Sequence, residues 1–272
     1  MARQDNPLML KVIKNQRIGD LYQRLTLTHE DLDEKRVGKL FQGLHVKLFF
    51  TTANQTKLTL PYRQDGKIVW PAKRDKPVTR TYSIYDYNPT TKLLQIDFLR
   101  HEEEGIACEF AKNATVGDML GFAGPGPIKM IDATFDKFLL IGDLTGLPAI
   151  ASVAKTIPQD AQPTIIIEVE HEHQISIIED YYFGSRKCNV SFVPLHYEDK
   201  SSLLDMVDKL NISEHVNEWS IAVAAEHNTV LSVRTYLRTI NLSRHQLYAV
   251  PYWKYQQDEE TYHEERHEVM DS

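Results

Sequence analysis

Apolar positions follow one rhythm in the first half of the chain and another in the second. Up to about residue 132 the runs are short and alternating: LYQRLTLTH (21–29), LHVKLFFTT (44–52), TRTYSIYDYN (79–88), LLQIDFLRH (93–101) and MLGFAGP (119–125). A period of two, with β-branched and aromatic residues, predicts half-buried strands. Gly43, Gly66, Pro71, Pro77, Asn88-Pro89 and Gly117-Asp118 separate them as turns. Many short strands between turn signals predict an antiparallel β-barrel, interrupted by one helix, GIACEFAKNA (105–114).

From FDKFLLIGD (135–143) onward the strands are continuous apolar runs: TIIIEVE (164–170), VSFVPLH (190–196), WSIAVAAE (219–226) and LYAVPYW (247–253). Helical periods lie between most of them, including SLLDMVDKL (202–210) and NTVLSVRTYLRTI (228–240). Continuous apolar strands alternating with helices predict a parallel sheet covered on both faces, an α/β arrangement. The boundary is expected near Ile131–Phe135, giving a β-barrel domain over 1–132 and an α/β domain over 133–272. Such a pair is expected to bind its ligand in a cleft between domains. The charged tail DEETYHEERHE (258–268) reads as a solvated helix or a frayed end.

Composition narrows the function classes. The 272 residues carry a net charge of −7, which argues against generic nucleic-acid binding, so any anion site must be a local basic pocket. No apolar run approaches the ~20 residues of a membrane span, and the N-terminus lacks an export core, so the expectation is a cytoplasmic protein. Cys108 and Cys188 have no metal-ligand spacing; reduced thiols or one disulfide both remain open. The histidines of EVEHEHQ (168–174) and YHEERHE (262–268) match no zinc spacing and read as solvated residues, so no metal site is expected.

Two places are candidates for chemistry. The helix beginning at Gly105, Ile106, Ala107 and Cys108 offers backbone N–H donors to a phosphate, and Arg80 offers a fixed positive fork. The strand-to-helix turn IGDLTGLPAI (141–150) lies where doubly wound folds bind nucleotides, although it is neither GxGxxG nor a Walker loop. Thr145 there either caps the helix or touches a ligand.

RTYSIYDYN, QIDFLRHEEEGIACEFAKNATVGDMLGFAGP, GDLTGLPAI and YAVPYWKYQQDEETYHE occur in one order, together with HVKLFF at 45–50. Taken together they resemble the siderophore-interacting proteins, flavin-dependent ferric-siderophore reductases within the ferredoxin-reductase-like flavoproteins. The resemblance implies FAD, with Arg80 and Thr81 along it, Tyr82 against the flavin and Ser83 near its reactive N5 edge. It implies Asp97, Phe98, Leu99 and His101 lining the flavin and adenine side. It also places Gly105, Ile106, Ala107 and Cys108 at the pyrophosphate, with Thr145, Tyr252 and Trp253 closing the site from the second domain. Lys47 and Lys254 are expected to recruit an anionic ferric siderophore, joined by Arg244 or His245 in a basic rim; the activity implied is release of iron as Fe(II) for assimilation.

The chain departs from the family pattern at Ile106, Cys108 and Phe110, and at Ala224-Ala225-Glu226, where the family carries a glycine that admits a dinucleotide. Glu168 or Glu170 at the end of the second α/β strand points to NADH over NADPH, and a ferredoxin is the other donor considered. A reductase serving another acceptor and a non-catalytic siderophore-binding module are the competing readings. A monomer is expected.

Overall fold

The structure, a computed structural model, describes residues 6–101, 105–126, 129–184, 187–257 and 261–262. The chain divides into two units, Met1–Ile128 and Lys129–Ser272.

The first unit contains β1 (Leu8–Ile18), β2 (Tyr22–Thr28), the short α1 (Glu34–Val37), β3 (His45–Phe50) and the hairpin β4 (Tyr62–Gln64)–β5 (Lys67–Val69). Then come β6 (Val78–Ser83), β7 (Asp86–Asn88), β8 (Leu93–Leu99), α2 (Ile106–Asn113) and β9 (Met119–Ala123). Seven strands form one antiparallel sheet in the order β6-β3-β9-β1-β2-β8-β7. The stretch expected as one strand over 79–88 is broken at Ile84 and Tyr85, and this break closes the barrel. β6 pairs with β3 while β7 pairs with β8, and the N–H of Tyr85 donates to the carbonyl of Gln95 at 3.0 Å. One continuous run of chain therefore supplies both ends of the sheet.

Inward positions obey the period-two rule. Val46, Leu48 and Phe50 of β3, Leu94, Ile96 and Phe98 of β8, and Leu25 and Leu27 of β2 form the core with Leu120 and Phe122. Helix α2 adds Ala107 and Ala111, one turn apart on its buried face. Asn15 of β1 donates to the carbonyls of Ala111 and Ala114 at 2.9 and 2.7 Å, which satisfies the end of that helix from the sheet. β1 and the β4–β5 hairpin were not among the expected elements: β1 mixes Lys, Asn, Gln and Arg with its apolar residues, and the hairpin is too short to show a period.

In the second unit β10 (Lys137–Gly142), α3 (Leu147–Ala154), β11 (Thr164–Val169) and α4 (His173–Ile178) lead to β12 (Asn189–Pro194). α5 (Ser201–Asp208), β13 (Trp219–Glu226), α6 (His227–Thr239) and β14 (Leu247–Trp253) follow. The five strands are parallel, in the order β12-β11-β10-β13-β14. The order reverses between β10 and β13, so the carboxyl ends of these two strands flank the switch point of a doubly wound sheet. α3 is buried on every side, and Gly146 explains how it lies so close to β13. A Cβ on Gly146 would stand 1.8 Å from the carbonyl oxygen of Ala224. His171 and His173, expected in a solvated loop, stack at 5.6 Å where α4 begins.

Candidate functional site

The register of β3 against β6 sorts the candidate residues by face. Tyr82 opposes Val46 and Arg80 opposes Leu48, so both point to the side of the core residues of β3. Thr81 opposes Lys47 and Ser83 opposes His45 on the other face. There the Lys47 ammonium donates to the Thr81 hydroxyl at 2.6 Å. Arg80 Nη1 donates to the carbonyl of Thr79 at 2.9 Å, which holds the guanidinium along its own strand. The Tyr82 ring rests on Phe98 with centroids 4.4 Å apart.

Two of the expected lining residues have other work. Phe98 has no exposed surface and supports Tyr82 from within the core, so it is not a lining residue. The Asp97 carboxylate is enclosed and receives both Nε and Nη2 of Arg24, at 2.6 and 2.7 Å. Arg24 in turn lies 3.8 Å from the centroid of Tyr85. Leu99 is half-buried, and its carbonyl accepts the Cys108 thiol at 2.9 Å; His101 is exposed, its Nε2 3.5 Å from the same sulfur.

Helix α2 begins after Gly105, where among the described residues no side chain caps the first turn and a Cβ would meet nothing within 4 Å. The helix start therefore presents main-chain donors and partial positive charge, with Glu109 in its first turn. Ile106 and Phe110 pack on the same core as Tyr82.

In the second unit the switch point is organised by Asp143, which the sequence reading passed over. Its Oδ1 accepts the N–H groups of Thr145 and Gly146 and the Thr145 hydroxyl, at 2.8, 3.0 and 2.6 Å. Its Oδ2 accepts the N–H of Glu226 at 2.8 Å and the indole of Trp253 at 2.7 Å. Thr145 and Trp253, expected at the cofactor, direct these donors to Asp143, while Tyr252 is half-buried beside Trp253 on β14. The visible signal was the Asp-Leu-Thr-Gly string, the spacing of a side chain that caps its own turn. Glu226 accepts from the N–H of Asn228 at 2.6 Å and so caps α6.

Glu168, one of the two glutamates read above as pointing to NADH, is enclosed and engaged within the protein. Its carboxylate is 1% exposed and takes the Lys200 ammonium at 2.8 Å and the Thr229 hydroxyl at 2.6 Å. Burial raises its pKa, against the opposing pull of Lys200 and Thr229. Glu170 instead accepts the Tyr197 hydroxyl at 3.2 Å. Burial, then the neighbouring Glu170, push the Tyr197 phenol up to about 12. Tyr197 stacks on Tyr255 at 3.9 Å, and Lys254 between Trp253 and Tyr255 is half-buried. Tyr262 is buried against His227, its hydroxyl 2.8 Å from Nδ1, which corrects the expectation of a solvated tail at that position; the rest of 258–268 lies outside the described residues apart from Thr261.

Residues 11–128 match the siderophore-interacting FAD-binding domain, and residues 135–256 match the siderophore-interacting protein model. The chain belongs to the siderophore-interacting protein family. It is 32% identical over 270 residues to the ferric vibriobactin reductase ViuB of Vibrio cholerae, spanning 97% of this chain and 96% of that one. The crystal structure of the siderophore-interacting protein SipS from Aeromonas hydrophila is similar at a TM-score of 0.80 and 29% identity, covering 99% of this chain and 100% of that one. The ferredoxin reductase of carbazole 1,9a-dioxygenase shares the fold at a TM-score of 0.58 and 16% identity, over 91% of this chain and 66% of that one.

Within this family the first unit is the FAD-binding domain, and its geometry fits that cofactor. An uncapped helix start with open space at Gly105 suits a pyrophosphate, and Arg80 and Tyr82 on one face of β6 offer a cation and an aromatic platform. Among the described residues no helix is long and apolar enough to cross a membrane.

Proposed function

We propose that this chain is a ferric-siderophore reductase that takes electrons from a soluble donor through FAD and releases Fe(II) from the chelate. The observation that carries the proposal is likeness to a ferric vibriobactin reductase along nearly the whole of both chains, through the barrel and the parallel sheet alike. FAD, when bound, accepts electron pairs and delivers single electrons, which matches a hydride donor to one-electron iron.

The protein's part is to bind, orient and attract. Arg80 and the main-chain donors at Gly105, Ile106, Ala107 and Cys108 would hold the pyrophosphate, and Tyr82, supported by Phe98, would pack against the flavin. Ser83, buried on the face it shares with Thr81, would offer a hydroxyl to the flavin, while Leu99 and His101, both in contact with Cys108, would flank the pyrophosphate at the helix start. Lys47 and Lys254 supply positive charge to an anionic ferric chelate. Siderophore oxygens are hard donors suited to Fe(III); once reduced, the iron is held far less tightly and leaves without any ligand from the protein. NADH, NADPH and a ferredoxin all remain in play as donors. With Glu168 bonded to Lys200, the expected preference for NADH loses its basis there. A cytoplasmic monomer is our reading of the setting.

The test is anaerobic. The flavin-loaded protein is photoreduced and mixed with a ferric siderophore and an Fe(II) trap, and the flavin spectrum is followed. Rapid reoxidation with stoichiometric trapped Fe(II) is expected. A colourless protein, or a reduced flavin that persists beside the siderophore, refutes the proposal.

A further inference from the structure

Between β3 and β6 the chain makes an excursion, residues 52–77, that the proposed chemistry leaves without a role. It carries Lys57, Arg63, Lys67, Lys73, Arg74 and Lys76 against Asp65 and Asp75, so it is +4 while the rest of the −7 chain is −11. An anionic surface therefore attracts this segment and repels the remainder, which fixes the orientation of approach. Within it Tyr62, Ile68 and Trp70 are exposed by 51%, 52% and 42%, three large apolar side chains in nine residues.

The local structure holds these groups outward. β4 and β5 form a two-stranded sheet of their own, separate from the barrel. They turn at Asp65-Gly66, both at positive φ (49° and 76°), the tight hairpin geometry that Asp-Gly favours. A hairpin this short is marginal alone, and its base is pinned to the barrel. Leu60 packs on the bare backbone of Gly121, where a Cβ would stand 2.4 Å from the Leu60 side chain. Trp70 meets Phe49 edge-on at 6.2 Å, and the Lys76 ammonium lies 5.1 Å from the Trp70 ring centroid. The Asn6 side chain accepts the N–H of Arg63 at 2.7 Å. Gln55 braces the basic turn by donating to the carbonyls of Arg74 and Lys76 at 3.1 and 2.9 Å.

The placement of the exposed side chains separates the possible occupants. Tyr62 opposes Val69 and Gln64 opposes Lys67, so Tyr62 and Lys67 share one face of the hairpin; Arg63 opposes Ile68 on the other. Each face thus pairs one exposed apolar residue with one cation. A rigid partner meets one face only. A stable protein interface also needs about 800 Å² on each side, far more than strands of three residues present. A fluid headgroup layer wets both faces at once, takes Trp and Tyr at its boundary and attracts Lys and Arg.

We propose that residues 52–77 seat the protein on an anionic lipid surface, with Tyr62, Ile68 and Trp70 in the headgroup layer and Lys67, Lys73, Arg74 and Lys76 on the lipid phosphates. Through Trp70 and Phe49 the excursion lies on the face of β3 opposite to Arg80 and Tyr82, so seating leaves the flavin-holding face clear. Seating requires no electron transfer, and this role therefore stands apart from the reductase reading.

The experiment uses the flavin-loaded full chain in co-sedimentation with sucrose-loaded vesicles of phosphatidylcholine, with or without about 30% phosphatidylglycerol. Wild type is expected to bind the anionic vesicles at least about tenfold more tightly than the neutral ones, and to lose most of that difference at about 0.5 M salt. Lys73→Glu/Lys76→Glu should weaken binding to the anionic vesicles about tenfold or more, and Ile68→Ser/Trp70→Ser about fivefold or more. An unchanged flavin spectrum and melting temperature verify the fold of each variant; Tyr62→Ser/Ile68→Ser, confined to the exposed hairpin, replaces the Trp70 variant should that one be unstable. A wild type that stays in solution beside anionic vesicles, or variants that bind them as wild type does, overturns the proposal. Displacement by free glycerol phosphate at the same phosphate concentration also overturns it, since the basic turn would then be a small-anion site. So does binding that falls on charge reversal yet is fully retained by the apolar variants, because the hairpin then never enters the headgroup layer.

Discussion

Asp143 shows how one carboxylate can set a local structure. It is 1% exposed and accepts five hydrogen bonds, drawing together the turn after β10, the end of β13 and the indole on β14. Removing it strands several buried donors, each worth about 1–3 kcal/mol. Asp143→Ala is therefore expected to lower the unfolding free energy by about 3–5 kcal/mol in urea titrations; a loss below about 1 kcal/mol would show that water takes over its bonds. Glu168 and Lys200 make a different case, an ion pair with side chains 1% and 3% exposed. Lys200→Met leaves a buried carboxylate alone and should cost about 3–5 kcal/mol near neutral pH, whereas Glu168→Leu/Lys200→Met should recover most of it. Because the folded carboxyl titrates above its ordinary 4.5, its contribution to stability is complete below that value and is lost as pH rises through the raised one. The stability of the double variant relative to wild type should accordingly increase with pH across that window, as followed by denaturant midpoints. A flat difference curve would mean that Glu168 is ionised throughout.

At the scale of elements, the parts of the fold visible in the sequence were those whose pattern is set by burial. The apolar runs of β10, β11 and β13 were read to within a residue or two, because a strand covered on both faces must be apolar throughout. Helix α2 was equally legible from GIACEFAKNA. β1 was not, since its outer-face polar residues hide the period, and neither was the break at Ile84 and Tyr85, which follows from barrel closure and is a long-range effect. The site was legible to the same degree. The Arg80-to-Ser83 strand and the Gly105 helix start carry local signals, but whether Asp97, Phe98 and Glu168 face a ligand depends on Arg24, Tyr82 and Lys200, which are distant in sequence. Gly146 lies in the turn predicted over 141–150, and its constraint comes from β13. Gly146→Ala places a methyl against the Ala224 carbonyl at 1.8 Å, and backbone cannot yield as a side chain does. A loss of more than about 3 kcal/mol, or failure to accumulate as folded protein, is expected; a melting temperature within about 2 °C of wild type would show that α3 can shift freely.

For the whole molecule the question is which unit holds the flavin. Each unit has its own apolar core, and the groups that fit FAD, namely Arg80, Tyr82 and the α2 start, all belong to Met1–Ile128. Thr145 and Trp253, which the family resemblance put at the cofactor, both bond to Asp143 within their own unit. FAD affinity should then respond to changes in the first unit and ignore conservative changes in the second. Arg80→Ala is expected to weaken FAD binding about tenfold or more, as read from recovery of flavin fluorescence on dilution. Thr145→Val and Trp253→Phe should stay within about threefold of wild type while losing about 1 kcal/mol of stability for each hydrogen bond removed. Free FAD at about 100 times its dissociation constant should add about 2.7 kcal/mol to the stability of wild type and of both second-unit variants alike. If instead the Trp253 variant loses FAD as badly as the Arg80 variant, the indole has a second duty toward the flavin that its bond to Asp143 does not reveal, and the division of labour between the units fails.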